Sequence, residues 1–136
     1  MPRAAIENGR AAYAYDLVAN FVQKSSPDSQ KEYRAYVKKL PAMIKTNGLG
    51  QTLAFYYAKA GTHRQVYEQI AGWIQKNHGN LVPGDDFIEA VVKLDSQDYR
   101  LIATEVIALV TWMRRFADGM IDVKSNSEGE RNAIPS

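Results

Sequence analysis

The chain has 136 residues, with 17 Lys and Arg against 15 Asp and Glu and no Cys. This length suits one domain, and the lack of cysteine excludes thiol nucleophiles, zinc–thiolate sites and iron–sulfur clusters. The formal net charge of +2 permits nucleic-acid binding without predicting it, so the positions of the charges matter more than their sum. We expect a cytoplasmic protein without a membrane partner, because no signal-peptide core follows the N-terminus and the longest apolar stretch, 101–113, is too short for a bilayer.

Apolar residues recur at spacings of three and four, which predicts an all-α, single-domain bundle of about six helices. The first helix covers about 4–24 and ends before Pro27, since residues that precede proline resist the helical region. The second helix begins near Asp28 or Ser29, because either side chain can cap it. Pro41 is expected to break or kink this helix.

Glycines and acidic residues mark the next helix boundaries. Gly48 ends the second helix, and a third follows with little room for a loop and ends at Gly61. Thr62 is predicted to cap a fourth helix. Two consecutive aspartates, Asp85 and Asp86, are predicted to open a short fifth helix.

The sixth helix begins at Asp95 or Ser96 and extends to about Phe116 or further. It is apolar on nearly every side, because Leu101, Ile107 and Trp112 lie outside the apolar stripe that faces inward. We therefore expect this C-terminal helix to be buried at the centre of the bundle. The helical domain is assigned to 1–123, and the polar segment 124–136 is expected to be a disordered tail.

The sequence offers little support for catalysis. Both histidines, His63 and His78, lie at helix boundaries, where capping or solvated roles are commoner than catalytic ones. Asp85 and Asp86 with Glu89 are better explained as acids that complement a helix dipole than as a metal cluster. No nucleophile, base and metal set can be assembled, so we expect no enzymatic activity, no metal and no cofactor.

A basic stripe runs along the second helix. Four cations recur at spacings of three, four and seven residues: Lys31, Arg34, Lys38 and Lys45. A further lysine, Lys39, lies beside this stripe. Such a stripe can follow a phosphate backbone by charge alone, and Tyr33 and Tyr36 between the cations could stack on bases. The pattern equally fits a solvated helix face whose tyrosines lie in the core.

A second basic cluster, Arg114 and Arg115, lies late in the sixth helix. Cations there suit the negative end of the helix dipole, and they could also meet acids of a protein partner or RNA phosphates. The predicted RNA-binding set therefore has seven members: Lys31, Arg34, Lys38, Lys39, Lys45, Arg114 and Arg115.

The stretch 33–59, YRAYVKKLPAMIKTNGLGQTLAFYYAK, strongly resembles the signature of the small subunit of type III-B CRISPR Cmr complexes. Its most specific parts are Lys39 to Ile44, then Asn47 to Gln51, then Leu53 to Phe55. The segments 10–15 and 112–117 resemble the opening and closing helices of that family.

The resemblance implies an all-α bundle without nuclease activity. Copies of such a subunit stack along an antiviral ribonucleoprotein beside its backbone and large subunits, and they line the groove where target RNA pairs with the guide RNA. A lining subunit has to accept any target sequence, so phosphate contacts without base readout suit it.

Two alternatives remain at this point. A helix-turn-helix regulator would present polar and basic residues on the helix after the turn, whereas that helix carries Leu53, Phe55, Tyr56 and Tyr57. A helical adaptor that binds only protein would use its charges for solubility, and RNA binding would separate it from the first hypothesis.

Overall fold

The computed structural model describes the backbone of residues 3–121 and the side chains of 9–121. That range forms six α-helices: α1 (Arg3–Lys24), α2 (Pro27–Asn47), α3 (Leu49–Ala58), α4 (Thr62–Asn77), α5 (Phe87–Val92) and α6 (Ser96–Met120). It contains no strand, which confirms the all-α class. The predicted tail, 124–136, lies outside the described residues. Between 3 and 121, no helix is long and apolar enough to cross a membrane.

The second helix differs from the prediction at its start and in its middle. Ser26 caps it by accepting a hydrogen bond from the Ser29 amide at 3.2 Å, and Pro27 takes the first helical turn, where its missing N–H costs nothing. Of the two outcomes predicted at Pro41, a break or a kink, the break is wrong, because α2 continues to Asn47. Apolar residues before and after the proline, Leu40 and Ile44, are both buried, so packing holds the helix across it.

Three other helix ends are set as the sequence predicts. Gly48 ends α2 with φ of +89°, a conformation that favours glycine, and its amide donates to the Ile44 carbonyl. Asp86 caps α5, and Asp95 caps α6 by accepting from an amide at 2.8 Å. Each aspartate satisfies an amide that the helix itself leaves without a partner.

Thr62 does not cap α4, contrary to the prediction. Gly61 occupies the cap position, and Thr62 is the first helical residue. The Thr62 hydroxyl instead donates to the Glu32 carboxylate at 3.3 Å, which links the start of α4 to α2.

The buried C-terminal helix is confirmed, because α6 packs most extensively against α1 and α2 and also against α4. Its inward side belongs to the common apolar core through Ile102, Val106, Leu109, Val110, Met113 and Ala117. The outward side is not covered everywhere: Leu101, predicted to be buried, is 49% exposed.

The two ends of α2 show that it runs antiparallel to α6. Arg34, early in α2, forms an ion pair with Asp118, late in α6. Just beyond the end of α2, the Gly50 amide donates to the Tyr99 hydroxyl, early in α6, at 2.6 Å. A Cβ at Gly50 would lie 3.3 Å from the same hydroxyl, so glycine allows this close approach of α3 to α6.

Candidate nucleic-acid interface

Three lysines form a row on the outer side of α2. The inner side is fixed by Tyr33, Val37, Leu40 and Ile44, which are all buried. Lys31, Lys38 and Lys45 are seven residues apart, and a seven-residue step returns to nearly the same side of a helix, with a drift of about 20°. At a rise of about 1.5 Å per residue, the row extends about 21 Å along the axis. We call these three residues the lysine row.

The lysine row is continuous because α2 is continuous. Proline inside a helix removes one backbone hydrogen bond but does not by itself end the helix when packing holds both sides. Lys45, whose position a break at Pro41 would have changed, therefore stays in register with Lys31.

Solvent reaches the lysine row and its neighbour Lys39. Lys38, Lys39 and Lys45 are exposed and Lys31 is half-buried. Within 9–121, none of these four side chains forms an ion pair with a carboxylate. Their charges are therefore available to an external anion.

Arg34 does not share this freedom. Its Nε lies 3.0 Å from the Asp118 carboxylate, and the two side chains are 25% and 41% exposed. This contact ties α2 to α6 along the edge of the basic stripe. Among the predicted RNA-binding residues, Arg34 is thus bound to a carboxylate of the same chain. An RNA phosphate would have to compete with Asp118 for its guanidinium group.

We expect the Arg34–Asp118 pair to contribute little to folding. A double-mutant cycle with Arg34→Ala, Asp118→Ala and the double variant is expected to give a coupling free energy below about 1 kcal/mol, because solvent screens a half-exposed pair. Urea unfolding of the four proteins measures it. A coupling of several kcal/mol would show instead that the pair is a main attachment between α2 and α6.

Arg114 and Arg115 lie close to the same surface. Both are exposed, and Arg114 precedes Asp118 by four residues, which places the two on one side of α6. The helices α2 and α6 are antiparallel, and Arg34 contacts Asp118. Arg114, four residues before Asp118, therefore lies at about the same height along the bundle as Lys38, four residues after Arg34. The fold therefore brings Arg114 of the second predicted cluster to the level of the first.

Tyr33, one of the two tyrosines proposed to stack on bases, is in the core. It is fully buried, its ring stacks on Phe21 with centroids 4.1 Å apart, and its hydroxyl donates to Gln69 at 2.7 Å. Burial raises the pKa of this hydroxyl well above its ordinary value. The core interpretation of the pattern is correct for Tyr33.

Tyr36 is half-buried and lies against a residue from another helix. Its ring stacks on the imidazole of His63, with centroids 3.7 Å apart. His63 is thus packed among rings and is not the capping or solvated residue that its position in the sequence indicated. Exposed Phe55, assigned to the core from the sequence, meets the same imidazole edge-to-face at 5.6 Å.

A polar cluster around Glu105 is the other notable arrangement. Arg10 donates to both carboxylate oxygens at 3.3 and 2.9 Å, the Trp73 indole N–H donates at 3.1 Å, and His78 lies 3.7 Å away. Burial opposes the charge of Glu105, but these hydrogen bonds and the Arg10 charge hold the pKa of its carboxyl below the ordinary value. The cluster therefore joins α1, α4 and α6 around one ionised carboxylate.

Metal ligands do not converge on the described part of the chain: no three histidine or acidic side chains between 9 and 121 form a group that could hold an ion. Asp86 and Asp95, two of the acids singled out in the sequence, act as helix caps. The helix after the Gly48 turn, α3, buries Leu49, Leu53 and Tyr56, so its inward side serves the core and not a DNA groove.

Comparisons with known proteins agree with this fold. The family model of CRISPR-associated protein (Cas_Cmr5) matches residues 6–120. A curated relative from Thermus thermophilus, CRISPR system Cmr subunit Cmr5, is 26% identical over 113 residues, which cover 82% of this chain and 92% of the relative. The crystal structure of a CRISPR-associated Cmr5 family protein from Thermus thermophilus is similar with a TM-score of 0.72 and 26% identity, covering 90% of this chain and all of that one.

The bundle thus falls within a class of small, all-α CRISPR-associated proteins. The chain belongs to the Cmr5 family, the small-subunit family of type III-B CRISPR Cmr complexes, as its sequence predicted.

Proposed function

We propose that this protein is a non-catalytic small subunit of a cytoplasmic, type III-B Cmr ribonucleoprotein of antiviral defence, and that it contacts the guide RNA–target RNA duplex by charge. Its partners are the backbone and large subunits of the complex and neighbouring copies of itself. Bond cleavage belongs to other subunits, so this chain needs no cofactor and supplies shape and positive charge.

The observation that carries the proposal is the lysine row. Lys31, Lys38 and Lys45 lie on one side of an uninterrupted helix, and no carboxylate between residues 9 and 121 neutralises them. A row of ammonium groups on a rigid helix can meet successive phosphates without reading bases. Arg114, on α6 at the level of Lys38, and its neighbour Arg115 add two exposed charges to the proposed RNA-binding set.

Protein partners require a different surface. Val92 on α5 and Leu101 on α6 are 57% and 49% exposed, although both are large and apolar. Exposed apolar side chains of this size are candidates for contacts with neighbouring subunits.

The salt dependence of RNA binding tests the proposal. Titration of the protein into fluorescently labelled single-stranded RNA, followed by anisotropy at several salt concentrations, is expected to give a log–log slope of about −2, because each of three phosphate contacts contributes about −0.7. The same titration with assembled complexes that contain or lack this subunit is expected to show weaker target binding without it. Binding that is absent, or that does not change with salt, would instead identify a protein-only adaptor.

A further inference from the structure

Phe55 is an exposed aromatic residue that is held in a fixed position. Its side chain is 45% exposed on α3. Its ring meets Tyr56 and the His63 imidazole edge-to-face, at centroid distances of 5.9 and 5.6 Å. The imidazole in turn stacks on Tyr36 at 3.7 Å, so rings from α2, α3 and α4 form one cluster. We call these four residues the ring cluster.

Hydrogen bonds below the surface keep the ring cluster in place. The Tyr56 hydroxyl donates to the Tyr36 carbonyl at 2.6 Å, which joins α3 to α2. Tyr56 is buried, so the support under Phe55 belongs to the core. Because the Phe55 ring is already ordered, a ligand that stacks on it causes little further loss of side-chain conformational entropy.

A lysine lies over the exposed Phe55 ring, and a second lysine acts on the neighbouring imidazole. Lys59, one turn after Phe55, places its Nζ 5.2 Å from the centre of the ring. Burial, and then the charges of Lys59 and Lys39, lower the pKa of the His63 imidazole, with Glu32 acting in the opposite direction. The Glu32 carboxylate accepts a hydrogen bond from Thr62 and is the acid nearest the cluster that contributes to this balance.

We propose that Phe55, with Lys39 and Lys59, binds an unpaired nucleotide of single-stranded RNA. The base stacks on the Phe55 ring, and the two ammonium groups meet the adjacent phosphates. The Lys59 ammonium group covers one face of the Phe55 ring. A base that stacks on this face displaces the ammonium group, and the Lys59 side chain then turns toward a phosphate. An aromatic ring beside cations is the chemistry that binds single strands without sequence preference.

This inference rests on the proposed function, and it deepens it by naming a second kind of RNA contact. Lys39 directly follows Lys38 and so lies about 100° around α2 from the lysine row, on the side toward Tyr36 of the ring cluster. Paired RNA can meet the lysine row by its phosphates, but only an unpaired base can stack on a protein ring.

The test compares single-stranded RNA with a duplex of the same sequence. Phe55→Ala and Phe55→Leu are expected to weaken anisotropy-measured binding of the single strand about tenfold and to leave duplex binding within about twofold. Phe55→Trp is expected to keep single-strand binding, because stacking needs a ring. Tyr15→Ala is the matched control, since Tyr15 is 51% exposed on α1, outside the ring cluster.

Three results would overturn the inference: unchanged single-strand binding, an equal loss for single strand and duplex, or a loss only of incorporation into the assembled complex, which identifies a protein contact. None of them depends on the lysine row. A variant with alanine at Lys31, Lys38 and Lys45 is expected to weaken single strand and duplex alike, and its failure to do so would count against the proposed function alone. Thermal melts confirm that each variant is folded.

Discussion

Replacing Lys31, Lys38 and Lys45 together by glutamate is expected to weaken RNA binding on the order of tenfold or more and to reduce the magnitude of the salt slope by about 0.7 per lysine. The physical reason is that solvent reaches all three charges of the lysine row, with Lys31 half-buried, and no acid within the described residues neutralises them. The loss is expected for every RNA sequence, because phosphates carry no sequence information. Anisotropy titrations on several sequences at matched salt measure both quantities.

A matched control separates a local effect from the change in overall charge. Lys76, Lys93 and Arg100 are also exposed, and they lie on α4, after α5 and on α6. Replacing these three by glutamate changes the net charge equally but leaves α2 intact. Equal losses of RNA binding in the two triple variants would show that net charge, and not the lysine row, determines affinity.

Arg34 is left out of the triple variant for a structural reason. Glutamate at this position would face Asp118 across about the distance of the present ion pair, 3.0 Å. The resulting repulsion would disturb the contact between α2 and α6, and a loss of RNA binding could then follow from either cause. The lysine row provides the cleaner measurement.

Replacing Glu105 by alanine is expected to destabilise the fold by about 2 kcal/mol, because it removes the acceptor of the Trp73 N–H and the carboxylate that Arg10 contacts in a partly buried site. Urea unfolding at neutral pH measures the loss. The control Glu68→Ala removes an exposed carboxylate that only faces Arg64 one turn away, at 3.7 Å, and is expected to cost less than about 1 kcal/mol. Equal effects of the two substitutions would contradict the structural role of Glu105.

The same carboxylate predicts how stability depends on pH. The folded-state pKa of Glu105 lies below its ordinary value of 4.5, so folding favours the ionised form. Its stabilising contribution is therefore fully present above pH 4.5 and is lost as the pH falls toward the folded-state pKa. The difference in unfolding free energy between the wild-type protein and Glu105→Ala is thus expected to shrink in acid.

Helix positions were largely predictable from the sequence, because helix ends depend on local chemistry. Gly48, Asp86 and Asp95 mark boundaries through backbone conformation or a side chain that accepts from a nearby amide. The break allowed for at Pro41 does not occur, because local propensity favours a break there, whereas burial of Leu40 and Ile44 on either side favours continuity. Tertiary packing decided the outcome.

The candidate site was only partly predictable. The seven-residue spacing of the lysine row is visible in the sequence, but the ion pair between Arg34 and Asp118 joins residues 84 positions apart. The ring cluster was missed for the same reason, since His63 and Tyr36 lie on different helices. Only the spacing of Phe55 and Lys59 by four residues could have indicated that Phe55 is half-exposed beside a cation.

The late position of α6 in the chain affects how the protein is made. Both α1 and α2 pack mainly against α6. The Tyr99 hydroxyl of α6 also accepts a hydrogen bond from the Gly50 amide at the start of α3. A nascent polypeptide that has emerged only as far as α5 lacks the surface on which its first two helices pack. Folding of this bundle therefore reaches completion only after α6 has been translated.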